Sequence, residues 1–185
     1  MRTRQAIVDA LLELIEEGDL QPTATRIAER AGISLRLIYH HYGDLESLFR
    51  AAALRQFERM NAQVTPVDRS LPLDGRIDAL VERRCAMLEW ITPVRRAELL
   101  QEPWSPELRA ARAAVVARGN REVAVVFAPE LDRLASADVA AVRHALEAAL
   151  GWGAWNDLRE AGVSVDDATA AVRLTVQRLL DLPNA

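Results

Sequence analysis

Lysine is absent from this chain: all 23 of its Lys and Arg residues are arginine. Schiff-base chemistry and a phosphate-loop lysine are thereby excluded. Cysteine occurs once, at Cys85, so neither an internal disulfide nor a cysteine metal cluster is available. A cytoplasmic location is expected. No uncharged run is long enough to span a bilayer; the longest covers residues 148–156, and no membrane partner is expected. An apolar segment follows Arg2 and Arg4, but Asp9, Glu13, Glu16 and Glu17 interrupt it, which excludes a secretory signal. Glycine and proline number eight each, and β-branched runs are short. Strands are therefore disfavoured, and the abundant Ala, Leu, Glu and Arg favour an all-α fold.

The charge that remains is unevenly placed. The net charge is −4, so the chain is no polycation. Residues 20–43, however, hold Arg26, Arg30, Arg36 and the pair His40-His41 against a single acid, Glu29. Positive charge is thus local in sequence, and distribution matters more than the sum for nucleic-acid binding.

Periodicity and stop signals divide the chain into about nine helices. Ile7, Ala10, Leu11, Leu14 and Ile15 form one face of a first helix that Gly18 ends. Thr23 can cap a second, which carries Ile27, Ala28 and Ala31 and stops at Gly32. Ser34 caps a third, roughly Leu35 to His41, which Gly43 breaks. Asp44 caps a long fourth. Ala28, Gly32 and Ile38, spaced by four and six, meet the needs of a helix-turn-helix: a small residue at the crossing, a glycine in the turn, and a branched anchor. A linker is expected over Val64 to Pro72. Further helices follow over Asp74 to Ile91, Pro93 to Leu100, Pro106 to Val126, residues 138–161, and from Ser164 onward.

Arg36, Tyr39 and His40 cannot all point inward from the third helix, because neighbouring residues diverge by about 100°. Two readings fit. The polar face meets only water, or it is a recognition helix: arginine can read a guanine edge, and Tyr and His can donate to phosphates. Thr23 and Thr25 would add hydroxyls and free backbone N–H groups for a phosphate.

Thr23-Ala-Thr-Arg-Ile-Ala-Glu-Arg-Ala-Gly-Ile-Ser34, then Leu-Arg-Leu-Ile-Tyr39-His-His41-Tyr42, then Asp44-Leu-Glu-Ser-Leu-Phe49, resembles the DNA-binding domain of the TetR family of bacterial transcriptional regulators. The resemblance runs from about Arg4 to Phe57. It implies a helix-turn-helix DNA-binding domain over 1–44. It also implies a helical domain over 45–185 for ligand sensing and homodimerisation. The implied partners are double-stranded operator DNA, most simply a near-palindrome from which a repressor is released, and a small apolar or amphipathic effector. By position, Tyr39 and His41 would contact the DNA backbone, and Thr23 would cap its helix and touch a phosphate. Ser34 belongs to the same surface, and Leu35, Arg36 and His40 would face bases. Two departures stand out: Leu45 replaces the family's usual Lys, and Leu37 sits where a small residue or Thr is common.

No catalytic residue, metal site or cofactor is expected. His40 and His41 are adjacent and diverge, so they cannot grip one ion from one helix face. His144 stands alone, and there is no glycine-rich phosphate cradle or nucleophile elbow. Met87, Trp90, Trp104, Trp152 and Trp155 suit an adaptable effector pocket, and equally an ordinary core. Gly151 and Gly153, with the stripe Ala168, Ala171, Val172, Thr175, Val176 and Leu179, suit a two-fold helix interface or internal packing. The rival functions are a helical interaction module without DNA binding and a helical small-molecule enzyme.

Overall fold

A computed structural model describes residues 2–63 and 65–181; Val64, the first residue of the expected linker, lies outside them. The described residues form ten α-helices, one 3-10 turn and no strand. They are α1 (Arg2–Glu16), α2 (Ala24–Ala31), α3 (Leu35–Tyr42), α4 (Leu45–Gln63), α5 (Leu73–Gln101), the turn Glu102–Trp104, α6 (Pro106–Val126), α7 (Ala128–Leu131), α8 (Ser136–Ala149), α9 (Trp152–Glu160) and α10 (Val165–Leu180). No helix among them is long and apolar enough to cross a membrane.

The chain divides into two compact units, Met1–Val64 with Ile91–Arg112, and Thr65–Trp90 with Ala113–Ala185. In the first, α1 packs on α2 and α4, and α3 packs on α2 and α4. Ile7, Leu11, Ile15, Ile27, Ile38 and Leu48 meet in its core, joined by Val94 and Ala97 from the last part of α5. In the second, α8 and α9 both pack against α10. Its buried side chains include Leu80, Val81, Phe127, Leu146, Trp155 and Val176. A buried ion pair ties α5 to α7 there: Arg76 Nη2 lies 2.6 Å from Glu130 Oε1, and the same guanidinium donates to the Leu71 and Val126 carbonyls.

Three helix boundaries differ from the sequence expectation. Pro93 opens no new segment; α5 runs through it. Proline forfeits the bond to the Glu89 carbonyl, at about 3 kcal/mol. Val94, directly after it, and Ala97, one turn on, are buried in the core of the first unit. Residues 138–161 are not one helix, since α8 ends and α9 begins at Gly151. A Cβ at Gly151 would stand 3.0 Å from the Glu147 carbonyl oxygen, so only glycine lets the chain fold back this closely. The single-turn α7 is the third. Its start is the Ala-Pro pair, with proline at a tolerated early position.

The small-residue stripe of α10 also splits between two faces. Ala168, Val172 and Val176 are buried within the second unit, while Ala171 and Thr175 are exposed. Leu174, not foreseen, is 54% exposed beside them.

Candidate nucleic-acid interface

The turn between α2 and α3 is built as the residues demand. Thr23 Oγ1 accepts from the Arg26 N–H at 3.3 Å and caps α2. Gly32 takes the left-handed conformation, φ 66°, at its end. The Ile33 N–H then reaches back to the Ala28 carbonyl, 3.0 Å, which closes the helix and starts the turn. Ser34 occupies the capping position of α3 in an extended conformation, but its side chain caps nothing. The expected Ser34 cap is therefore a backbone position only, and its hydroxyl stands exposed. Asp44 does cap α4: its Oδ1 accepts from the Ser47 N–H at 2.7 Å, which holds its carboxyl below the usual range.

The eight residues of α3 sort into four i,i+4 pairs, each pair sharing one environment. Ile38 and Tyr42 are buried; Leu37 and His41 are half-buried; Leu35 and Tyr39 are exposed; Arg36 and His40 are exposed. This is the arrangement expected of a short helix with one side in the core, because residues four apart lie above one another. Ile38 is completely buried. Tyr42 turns inward too, its hydroxyl donating to the Arg4 carbonyl at 2.8 Å and the Arg4 guanidinium standing 5.0 Å from its ring centre. Burial pushes that phenol upward. Tyr42 is thus an anchor, a role the sequence pattern alone did not assign. With the inner side fixed, Leu35 and Tyr39 are left 41% and 46% exposed. The His40 and His41 rings meet edge to face, centres 5.4 Å apart.

The local positive charge is smaller in space than in sequence. Arg26 pairs with Asp19 at 2.5 Å. Arg30 pairs with Glu17 at 2.6 Å and reaches Glu13 at 3.5 Å. The Arg30 hydrogen bond draws the Glu17 carboxyl below its usual range, as a formed pair should. Both α2 arginines are therefore answered by acids of the first helix and the turn after it. Arg36 is different: it has no hydrogen-bond or ion-pair partner among the described residues. Thr25 is likewise exposed at the start of α2, beside the exposed Thr23.

These features lie at the start of α2, in the turn after it and on the exposed side of α3. Residues 7–52, which contain all of them, match the bacterial regulatory proteins of the tetR family. This N-terminal segment is similar to the tetR-family domain. The match ends at residue 52; beyond it the likeness is one of fold. A transcriptional regulator from Rhodococcus sp. Rha1 superposes with a TM-score of 0.76 at 18% identity, over 97% of this chain and 99% of that one. A candidate TetR-family transcriptional regulator from Rhodococcus sp. gives 0.68 at 17% identity, over 98% and 100%. One from Mesorhizobium loti gives 0.63 at 19%, over 97% and 95%. No curated protein matches the chain.

The residues expected to line an effector site are dispersed. Trp155 is completely buried in the second unit, and its Nε1 donates to Glu89 Oε2 at 3.0 Å. Arg159 binds the same carboxylate at 3.1 Å. Met87, Trp90 and Trp152 are half-buried in that unit. Trp104 belongs to the first unit and stands 82% exposed on the 3-10 turn. Among the described residues no three His, Cys, Asp or Glu side chains group as metal ligands would.

Proposed function

We propose that the chain is a ligand-responsive DNA-binding transcriptional regulator, acting as a homodimeric repressor on a near-palindromic operator. Residues 1–44 carry the operator contacts, and residues 45–185 carry effector sensing and dimerisation. The observation that supports this reading best is α3, anchored by Ile38 and Tyr42 and presenting Leu35, Arg36, Tyr39 and His40 outward, with no partner for Arg36 among the described residues. Arg36 and His40 then meet base edges in the major groove. Tyr39 and His41 donate to phosphates, and Thr23, Thr25 and Ser34 bring hydroxyls and the free N–H groups of α2 to the adjoining backbone.

Two such helices engage successive major grooves only at a separation of about 34 Å. The dimer forms through the outward face of α10, where Ala171, Leu174 and Thr175 are exposed, together with the exposed Ala141, His144 and Ala148 of α8. An apolar or amphipathic effector lodges among Met87, Trp90, Trp152 and Trp155; Trp104, so fully exposed, is left out of that wall. Release requires only that the effector prefer a dimer whose helices are differently spaced, by about 1–3 kcal/mol.

The test is selection of bound duplexes from a random pool at low salt, followed by gel-shift titration against selected and random DNA. Arg36→Ala should lose most of the discrimination between the two, and Tyr39→Phe should weaken both. Unchanged affinities would remove α3 from the interface. Absence of any salt-dependent DNA binding would favour the interaction-module reading, and turnover in a substrate screen the enzyme reading.

A further inference from the structure

On the reading of α3 as the recognition helix, the composition of its outer face restricts what it can recognise. We propose that each half-site of the operator places a guanine next to a thymine, Arg36 reading the guanine and Leu35 packing on the thymine methyl group.

The fold explains the two inner pairs of α3 and leaves the outer two unexplained. Leu35 and Arg36 are the first two residues of the helix, at the end that points into the groove when a recognition helix docks. Arg36 is exposed and has no partner among the described residues, whereas both arginines of α2 are held by acids. A guanidinium left free in this position offers a planar fork of donors, and the base that matches it is guanine, through O6 and N7. Leu35 is 41% exposed, and its side chain has neither donor nor acceptor. The one apolar group on a base edge in the major groove is the thymine methyl, so that is what Leu35 can distinguish. Adjacent helical residues diverge by about 100° and rise by only 1.5 Å, which sets the two contacted bases on neighbouring pairs.

What is missing from this face is equally informative. Adenine is read best by Asn or Gln, and the cytosine amino group by Asp or Glu. The outer face carries Leu35, Arg36, Tyr39 and His40, and none of those four types. Tyr39 and His40 lie one turn further from the leading end, and a tyrosine hydroxyl can donate to a phosphate.

The experiment uses the full-length chain and duplexes selected from a random pool. In one series the candidate guanine is replaced by 7-deazaguanine, which removes N7 and keeps Watson–Crick pairing. In another the candidate thymine is replaced by uracil, which removes only the methyl. Wild-type affinity should fall about tenfold for the first and about fourfold for the second. Arg36→Ala should be indifferent to 7-deazaguanine and still respond to uracil, and Leu35→Ala should show the reverse. Both side chains are exposed, so neither variant disturbs the core. Selected sites lacking the guanine–thymine pair would overturn the inference and leave the regulator reading standing. So would an Arg36→Ala protein that still discriminates 7-deazaguanine. Failure to select any duplex would overturn both.

Discussion

Raising the salt concentration tests the charge arrangement of the interface directly. Each cation that a protein delivers to a duplex displaces counterions, and log affinity falls against log salt with a slope of about −0.9 per phosphate neutralised. Three arginines lie on α2 and α3. Two of them, Arg26 and Arg30, are paired with Asp19 and with Glu17 and Glu13. Only Arg36 is left, which makes two fixed cations for a dimer and, even counting each in full although it reads a base edge, a slope no steeper than about −1.8. A rise from about 50 to 200 mM KCl at pH 8 should then weaken operator binding no more than about twelvefold. Were all three arginines engaged in both protomers, the slope would be about −5.4 and the loss more than about a thousandfold. Fluorescence anisotropy of a labelled operator across that range separates the two. A companion variant, Glu13→Gln with Glu17→Gln and Asp19→Asn, frees the α2 arginines and should steepen the wild-type slope. A thousandfold loss for the wild type, or a slope that the triple variant leaves unchanged, would show that these ion pairs do not withhold charge from DNA.

Three further outcomes follow from the packing. Ile38→Ala empties a fully buried site under α3 and should cost about 3 kcal/mol in urea unfolding, with operator binding lost alongside. Glu130→Gln breaks the buried pair with Arg76 and should cost about 3 kcal/mol at pH 7, the low end for a buried pair because Arg76 keeps its two carbonyl partners. The Arg76 hydrogen bond holds the Glu130 carboxyl below its usual range, so its contribution is present at neutral pH and fades as pH falls through that lowered value. The gap between wild type and variant should accordingly shrink in acid; a gap constant from pH 7 to pH 3 would refute the assignment. Leu174→Arg places a charge on the proposed dimer face and should raise the dimer dissociation constant more than about tenfold in sedimentation experiments. A dimer that tolerates it uses another face.

Helix punctuation was legible in the residues themselves. Thr23, Gly32, Gly43 and Asp44 mark boundaries because capping and left-handed turns are local chemistry, and each boundary falls where they place it. The inner and outer sides of α3 follow from the same local rules once Ile38 is taken as the anchor. What could not be read were effects that depend on distant chain. Arg26 and Arg30 counted as free positive charge because their acids lie 7 and 13 residues away in sequence, outside the window, yet within a salt bridge in space. Pro93 signalled a break, but the helix continues through it into a stretch where Val94 and Ala97 are buried. Gly151 was taken as a close-packing residue inside one long helix, whereas its missing Cβ serves the approach of its own backbone to the carbonyls that end α8. The stripe on α10 mixed two faces because small residues populate both, and only burial separates Ala168, Val172 and Val176 from Ala171 and Thr175.

The central claim is that the outer side of α3 lies against DNA. A photo-crosslinking residue, p-benzoylphenylalanine, introduced in place of Tyr39 and separately in place of the exposed Leu174, measures this most directly. Irradiation with a selected duplex should join the DNA covalently to the position-39 protein and leave the position-174 protein free. Equal yields at the two positions, or no adduct at position 39 while the duplex is bound, would contradict the claim.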